Sequence, residues 1–186
     1  MDDRRIVELF LERSEEAILQ TDIKYGRYCH KIAFNILGND EDSEECVNDA
    51  YMRAWNSIPP NEPLSMASYI GKITRNLALD RLRMKQSDKR GNGEVPLLLD
   101  ELSECVSGHD ELARRQDSAE ITAAIDSFLG QLNVVERGVF MRRYWMMEPI
   151  ADVARHYDIS VSKTTTMLFR LRNKLKKHFM KEGIPL

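Results

Sequence analysis

Apolar residues recur along this chain at steps of three and four, almost from end to end, and no segment alternates convincingly with a period of two. A period near 3.6 gathers such residues on one stripe of a helix, whereas a half-buried strand needs strict alternation. The pattern predicts an all-helical protein. Residues 3–20 place Ile6, Leu9, Phe10, Arg13 and Ala17 on one face. Residues 22–37 offer Tyr25, Tyr28, Cys29, Ile32, Phe34, Ile36 and Leu37 as the buried set, and Gly38-Asn39 ends that helix, since glycine takes the left-handed C-terminal position at little cost. A third helix runs from about Asp42 to Ser57, repeats Cys46, Val47, Ala50, Tyr51, Ala54 and Trp55, and is stopped by Pro59, Pro60 and Pro63. A fourth spans about Ser65 to Lys85, with Tyr69, Ile70, Ile73, Leu77 and Leu82 as its core candidates.

The texture then changes. Gln86 to Val95 is polar and holds Gly91-Asn92-Gly93, and residues 94–118 are acidic. Such a stretch between periodic segments reads as a linker. The expected plan is two small helical domains, 1–90 and 118–186, joined by a flexible acidic linker at 91–117. Periodicity resumes with Ile121, Ala124, Ile125, Phe128 and Leu132, then with Val135, Val139, Phe140 and Tyr144 in a helix over about 134–146. Pro149 opens a short helix through Ile150, Val153, Ala154 and Tyr157, and a long last helix buries Val161, Thr164, Leu168, Leu171, Leu175 and Phe179.

That last pair is a helix-turn-helix pattern. Ala154 is small where the helices cross, Ile159 is apolar in the turn, and Ser160 is a good N-cap for the second helix. Residues 163–181 carry seven basic side chains and no acid, a distribution that suits a helix entering the major groove beside phosphates. An ordinary helical hairpin with a solvated basic face fits the same pattern.

Charge is organised elsewhere too. The formal net charge of −3 speaks against a uniformly basic nucleic-acid binder, but an average conceals distribution. Residues 38–50 hold six acids and no base; residues 72–90 hold a surplus of five positive charges; residues 94–120 hold a surplus of six negative ones. Lys72, Arg75, Asn76 and Arg83 share a face of the fourth helix, with aromatic Tyr69 just upstream to stack on an unpaired base. A charged amphipathic helix with a core tyrosine accounts for the same residues. The acids at 40–49 complement a helix N-terminus, or form a docking face for a basic partner, or, as a weaker alternative, bind a metal.

Several classes fall away. No stretch approaches the roughly 18 apolar residues of a membrane span, and the start, Met1-Asp2-Asp3-Arg4-Arg5, lacks the apolar region of a signal peptide. Cys29, Cys46 and Cys105 form neither a zinc pattern nor a disulfide framework, and His30, His109, His156 and His178 have no metal-ligand spacing. A cytoplasmic protein with reduced thiols, no metal and no cofactor is expected.

Three segments in order resemble the sigma-70 family of bacterial RNA polymerase sigma factors, in its compact extracytoplasmic-function class. The acidic-start helix Asp42-Ser43-Glu44-Glu45-Cys46-Val47-Asn48-Asp49-Ala50-Tyr51-Met52-Arg53-Ala54-Trp55 is similar to the family's polymerase-clamp helix. Ser68-Tyr69-Ile70-Gly71-Lys72-Ile73-Thr74-Arg75-Asn76, with Asp80-Arg81-Leu82-Arg83, resembles the helix that melts and reads the minus-ten element. Leu132, Glu136-Arg137, Arg142-Arg143-Tyr144 and Ile159-Ser160-Val161-Ser162 resemble the domain that reads the minus-thirty-five element. The resemblance implies a transcription initiation factor that binds the clamp and flap of core RNA polymerase and directs it to promoter DNA. It implies polymerase contacts at Asp42, Glu45, Asn48, Asp49, Met52 and Trp55; minus-ten contacts at Asn61, Tyr69, Lys72, Arg75, Asn76 and Arg83; and minus-thirty-five contacts at Ser162, Lys163, Thr166, Arg170 and Lys174. It further implies an anti-sigma partner and no catalysis by the factor itself; the acidic linker either threads the polymerase channel, as in relatives, or is a solvated tether.

The chain departs from the family pattern in places. The loop Ile58-Pro59-Pro60-Asn61-Glu62-Pro63 is proline-rich, Tyr69 stands where relatives commonly carry tryptophan, and Asp158 stands where glycine is usual. Lys163-Thr164-Thr165-Thr166-Met167 has fewer charged groups than relatives carry there. Outside the family, the pattern also admits a stand-alone helix-turn-helix regulator that dimerises through its N-terminal helices and binds duplex without polymerase. A helical metal-dependent enzyme using the acids at 40–49 lacks a matching carboxylate or histidine pair elsewhere.

Overall fold

Residues 1–88 and 117–184 are described by the computed structural model. Every element among them is helical, and the chain divides into two compact units, Met1–Gly91 and Asn92–Leu186. The all-helical, two-domain reading is borne out. The linker at 91–117 lies, but for Asp117, outside the described residues.

In the first unit α1 (Asp3–Leu11), α2 (Glu16–Leu37), α3 (Asp40–Ser57) and α4 (Met66–Asp88) follow in order. Helices α2, α3 and α4 pack pairwise, and α1 lies against α2 and α4. The expected helix over 3–20 is in fact two. Arg13 turns left-handed at φ 57°, and the Ser14 amide donates back to the Leu9 carbonyl at 2.9 Å. That bond closes the end of α1 and frees α2 to begin early and run unbroken through Thr21. Gly38, at φ 77°, ends α2 as its sequence position predicts, and the Asn39 side chain accepts from the Asp42 amide at 2.8 Å, so α3 starts at Asp40.

Ile6, Phe10, Ile32, Ile58, Met66 and Ile70 are fully buried, with Ala33, Ala50, Ala54 and Ala78 between the helices. Two expected core faces are displaced. Phe34 is 41% exposed and stacks on His30, because Ile32, Ala33 and Ile36 occupy the inward stripe. In α4 the buried stripe is Met66, Ile70, Thr74 and Ala78, while Ile73 and Leu77 are half-buried. Gly71 explains that register: a Cβ there would lie 2.5 Å from the Tyr28 hydroxyl, so a bare backbone lets Tyr28 pack against α4.

The second unit holds α5 (Asp117–Gln131), α6 (Val134–Phe140), α7 (Ile150–His156) and α8 (Val161–Lys181). The helix expected over 134–146 changes type midway. Met141–Trp145 forms a π turn, with the Met146 amide donating to the Met141 carbonyl at 3.0 Å. The wider turn buries Arg143 and Tyr144 and brings Arg142 to a 2.8 Å ion pair with buried Glu148. Phe128, Phe140 and Tyr144 form an aromatic core with Leu168, Leu171, Leu175 and Phe179 of α8. Val135 and Val161, expected inside, are 45% and 52% exposed. His178 takes a core position instead, donating from Nε2 to the Ala124 carbonyl at 3.1 Å.

Candidate nucleic-acid and partner-binding faces

The six expected polymerase-facing residues of α3 separate into two groups. Asp42, Glu45 and Asp49 turn toward α4. Arg81 holds Glu45 at 2.9 Å and also pairs with Asp49, at 2.5 Å, and Lys85 pairs with Asp42. Arg81 and Lys85 continue the inward stripe Thr74–Ala78 beyond the apolar core, so the last turns of α4 meet the acids of α3 across the packed pair. The hydrogen bonds from Lys85 and Asn39 hold the Asp42 carboxyl below its ordinary pKa. Glu45, then Asp49, raises that of Arg81.

Asn48, Met52 and Trp55 lie on the adjacent face of α3, toward α2. With Tyr51 they form one wall of an open groove of about 620 Å³, whose opposite wall is Glu15, Ile18, Leu19 and Asp22. Met52 and Leu19 are 52% and 57% exposed, and Ile23 lies 68% exposed nearby along α2. Leu19 and Ile23 escaped the sequence reading, although their four-residue spacing off the buried stripe was a usable signal. The groove is braced by the Tyr51 hydroxyl donating to Asp22 at 2.8 Å. Gly26 leaves room for that bond, since a Cβ there would lie 2.5 Å from Asp22 Oδ1. Toward His30 the groove becomes polar, with Asp22, Arg27, Glu44 and Asn48 around a second opening of about 460 Å³.

On α4, Lys72, Asn76 and Arg83 share the exposed side opposite Met66 and Ile70, and Arg83 pairs with Asp80 at 3.2 Å. Arg75 is half-buried, and its Nε is buried without a hydrogen bond. Burial lowers its pKa, and Arg83 adds to the effect. Tyr69 and Asn61 are anchored to the end of α3: the Tyr69 hydroxyl donates to Ser57 Oγ at 2.8 Å, and Asn61 Nδ2 donates to the Ser57 carbonyl at 2.8 Å. Asn61 stays exposed, and Leu64 in the same loop is fully exposed.

In the second unit α7, a short turn and α8 form the helix-turn-helix. Ala154 is 3% exposed, and its carbonyl accepts from the Ile159 amide at 3.1 Å. Asp158 takes φ 51° where glycine is usual, a conformation aspartate tolerates better than most residues. Ser160 Oγ accepts from the Lys163 amide at 3.2 Å, completing the expected N-cap. Ser162, Lys163, Thr166 and Arg170 are exposed on α8. Lys174 is exposed too but reaches back to Glu136 at 2.9 Å.

Cys29 and Cys46 are buried free thiols, and burial pushes each from 9.0 to about 11. Among the described residues no group of three or more metal-ligating side chains converges, and no helix is long and apolar enough to cross a membrane.

The Sigma-70 region 2 family model matches residues 23–87, which run from within α2 to the last turn of α4. The resemblance read from the sequence is borne out over these residues. A solved structure of CnrH in complex with the cytosolic domain of CnrY is similar to this chain at 19% identity, with 96% of this chain and 97% of that one covered and a TM-score of 0.45. None of the curated proteins matches.

Proposed function

We propose, from the membership of residues 23–87 in the sigma-70 region 2 family, that this protein is a transcription initiation factor of the extracytoplasmic-function class. It binds core RNA polymerase, confers promoter specificity and leaves the chemistry to the polymerase. The family match across α2, α3 and α4 carries this reading, and the capped helix-turn-helix of the second unit supports it.

Three faces divide the work. The groove walled by Leu19, Met52 and Trp55, with Asn48 at its rim, suits an apolar partner surface and docks the polymerase clamp. Asp42, Glu45 and Asp49 border it as acids already partly neutralised by α4, so they set orientation more than affinity. Lys72, Asn76 and Arg83 hold the phosphates and bases of the melted minus-ten strand, with Arg75, Tyr69 and Asn61 positioning the loop and helix beneath it. Ser162, Lys163, Thr166 and Arg170 meet the minus-thirty-five duplex, and Lys174 steadies α8 against α6. The domain functions follow: 1–90 for clamp and minus-ten binding, 91–117 as linker, 118–186 for minus-thirty-five and flap binding. An anti-sigma protein that covers these faces, and a cytoplasmic location, belong to the same reading.

The test mixes the full chain with core polymerase and a promoter library. Sequence-selective initiation that requires both components is expected. Tight duplex binding that ignores polymerase would overturn the reading in favour of a stand-alone regulator. Met52→Lys is the sharper probe: Met52 is 52% exposed, so the fold survives. Polymerase affinity is expected to fall by tenfold or more, on the order of 1.4 kcal/mol, measured by competition with wild type.

A further inference from the structure

The outward stripe of α8 is not the cationic surface its composition suggests. Ser162, Thr166, Phe169 and Asn173 follow one another at helical spacing on the side opposite Leu168, Leu171 and Leu175, and all four are exposed. Phe169 is 58% exposed, a large apolar group left open to solvent among the described residues. The hydroxyls of Thr165 and Thr166 donate to the carbonyls of Val161 and Ser162, each at 2.9 Å. Their hydroxyl protons are therefore engaged within the helix, which favours methyl groups and acceptor oxygens on the surface. The cations Lys163, Arg170 and Lys177 run along one edge of this stripe rather than down its middle.

We propose that Phe169, with the methyl group of Thr166, reads thymine methyl groups in the major groove of the upstream element, while Lys163, Arg170 and Lys177 hold the flanking phosphates. This rests on the reading of α8 as the duplex-binding helix. The major groove distinguishes thymine by its C5 methyl, which apolar side chains contact, whereas guanine is read by a bidentate arginine or lysine. A phenyl ring and a threonine methyl one turn apart suit the first and supply no donor for the second. The basic edge and the absence of acid across 163–181 make the surroundings of the ring complementary to a phosphate backbone rather than to a second apolar protein surface. The occupant is duplex DNA bearing T·A pairs.

A random-sequence duplex pool is selected with the full chain and core polymerase, and the winning duplex is then made with either thymine or uracil at each selected position. Wild type is expected to bind the thymine duplex about fourfold more tightly for each methyl contacted, the worth of one buried methyl-sized group. Phe169→Ala is expected to reduce the thymine duplex to the level of the uracil one, and Phe169→Leu to restore part of the difference. Arg170→Ala is expected to weaken both duplexes by the same factor. Equal wild-type binding of the two duplexes overturns the proposal, as does a thymine preference that survives Phe169→Ala. If Phe169→Ala loses polymerase and keeps the thymine preference, the ring serves a protein partner and the proposal fails. A pool from which nothing is selected removes the duplex-reading role of α8 itself, an outcome separate from indifference to the methyl.

Discussion

Arg81 spans two carboxylates, Glu45 and Asp49, from the end of α4, and is itself only 22% exposed. The acids are more than half exposed, so water screens the pairs, and Arg81→Gln is expected to cost only about 0.5–1 kcal/mol in a urea midpoint measurement. Asp49→Lys sets a second cation beside Arg81, so its effect on polymerase binding mixes fold with docking; Met52→Lys does not have that defect. The buried thiols give a second prediction. Folded Cys29 and Cys46 titrate near 11, against an ordinary 9.0. Between those values the unfolded chain releases protons that the folded chain retains. Their contribution to stability is therefore full below about pH 9 and lost as the pH rises through about 11. Alkaline melting is expected to flatten in a Cys29→Ala, Cys46→Ala variant. In a Cys105→Ser background, the folded protein is expected to resist iodoacetamide at pH 8 and react fully in urea.

At the scale of elements, most boundaries were legible because caps are local chemistry. Gly38, Asn39 and Ser160 each declare a helix end in the sequence, and each does so in the structure. Ser160→Ala is expected to destabilise α8 by about 1 kcal/mol, seen as a lower melting temperature with the first unit's α-helices intact. The breaks that were not legible lack such a marker. Arg13 and Met147 turn left-handed without being glycine or asparagine, and the π turn at Met141–Trp145 accompanies the burial of Arg143 and Tyr144. These are decided by what packs against the segment. Gly71 is the same lesson reversed: it reads as a helix weakness, yet Gly71→Ala is expected to be destabilising. The added methyl meets the Tyr28 hydroxyl at 2.5 Å and its ring at 2.9–3.0 Å, and overpacking of about 1–3 kcal/mol outweighs the roughly 1 kcal/mol gained in helix propensity.

Across the whole molecule, the net charge of −3 is the remainder of alternating blocks. Part of the alternation is internal: acids at the start of α3 and bases at the end of α4 neutralise each other within one unit. In the basic block of α8 Lys174 is tied to Glu136, while Lys163, Arg170 and Lys177 are exposed. Arg170→Ala is accordingly expected to reduce the slope of log affinity against log salt by about one, and Lys174→Ala by less, both from titrations of the selected duplex. By itself the sequence determined the helical class, the capped helix ends, the helix-turn-helix and the blocks of charge, because periodicity, capping and composition act over a few neighbouring residues. Only the tertiary structure decided which face of each helix stays in water. It turned Ile73 and Leu77 partly outward, left Leu19, Met52 and Phe169 exposed, and divided the acids of α3 from the groove beside them. The physical reason is that a stripe's period is written in one helix, whereas its register is set by the volume and charge of the helices packed against it.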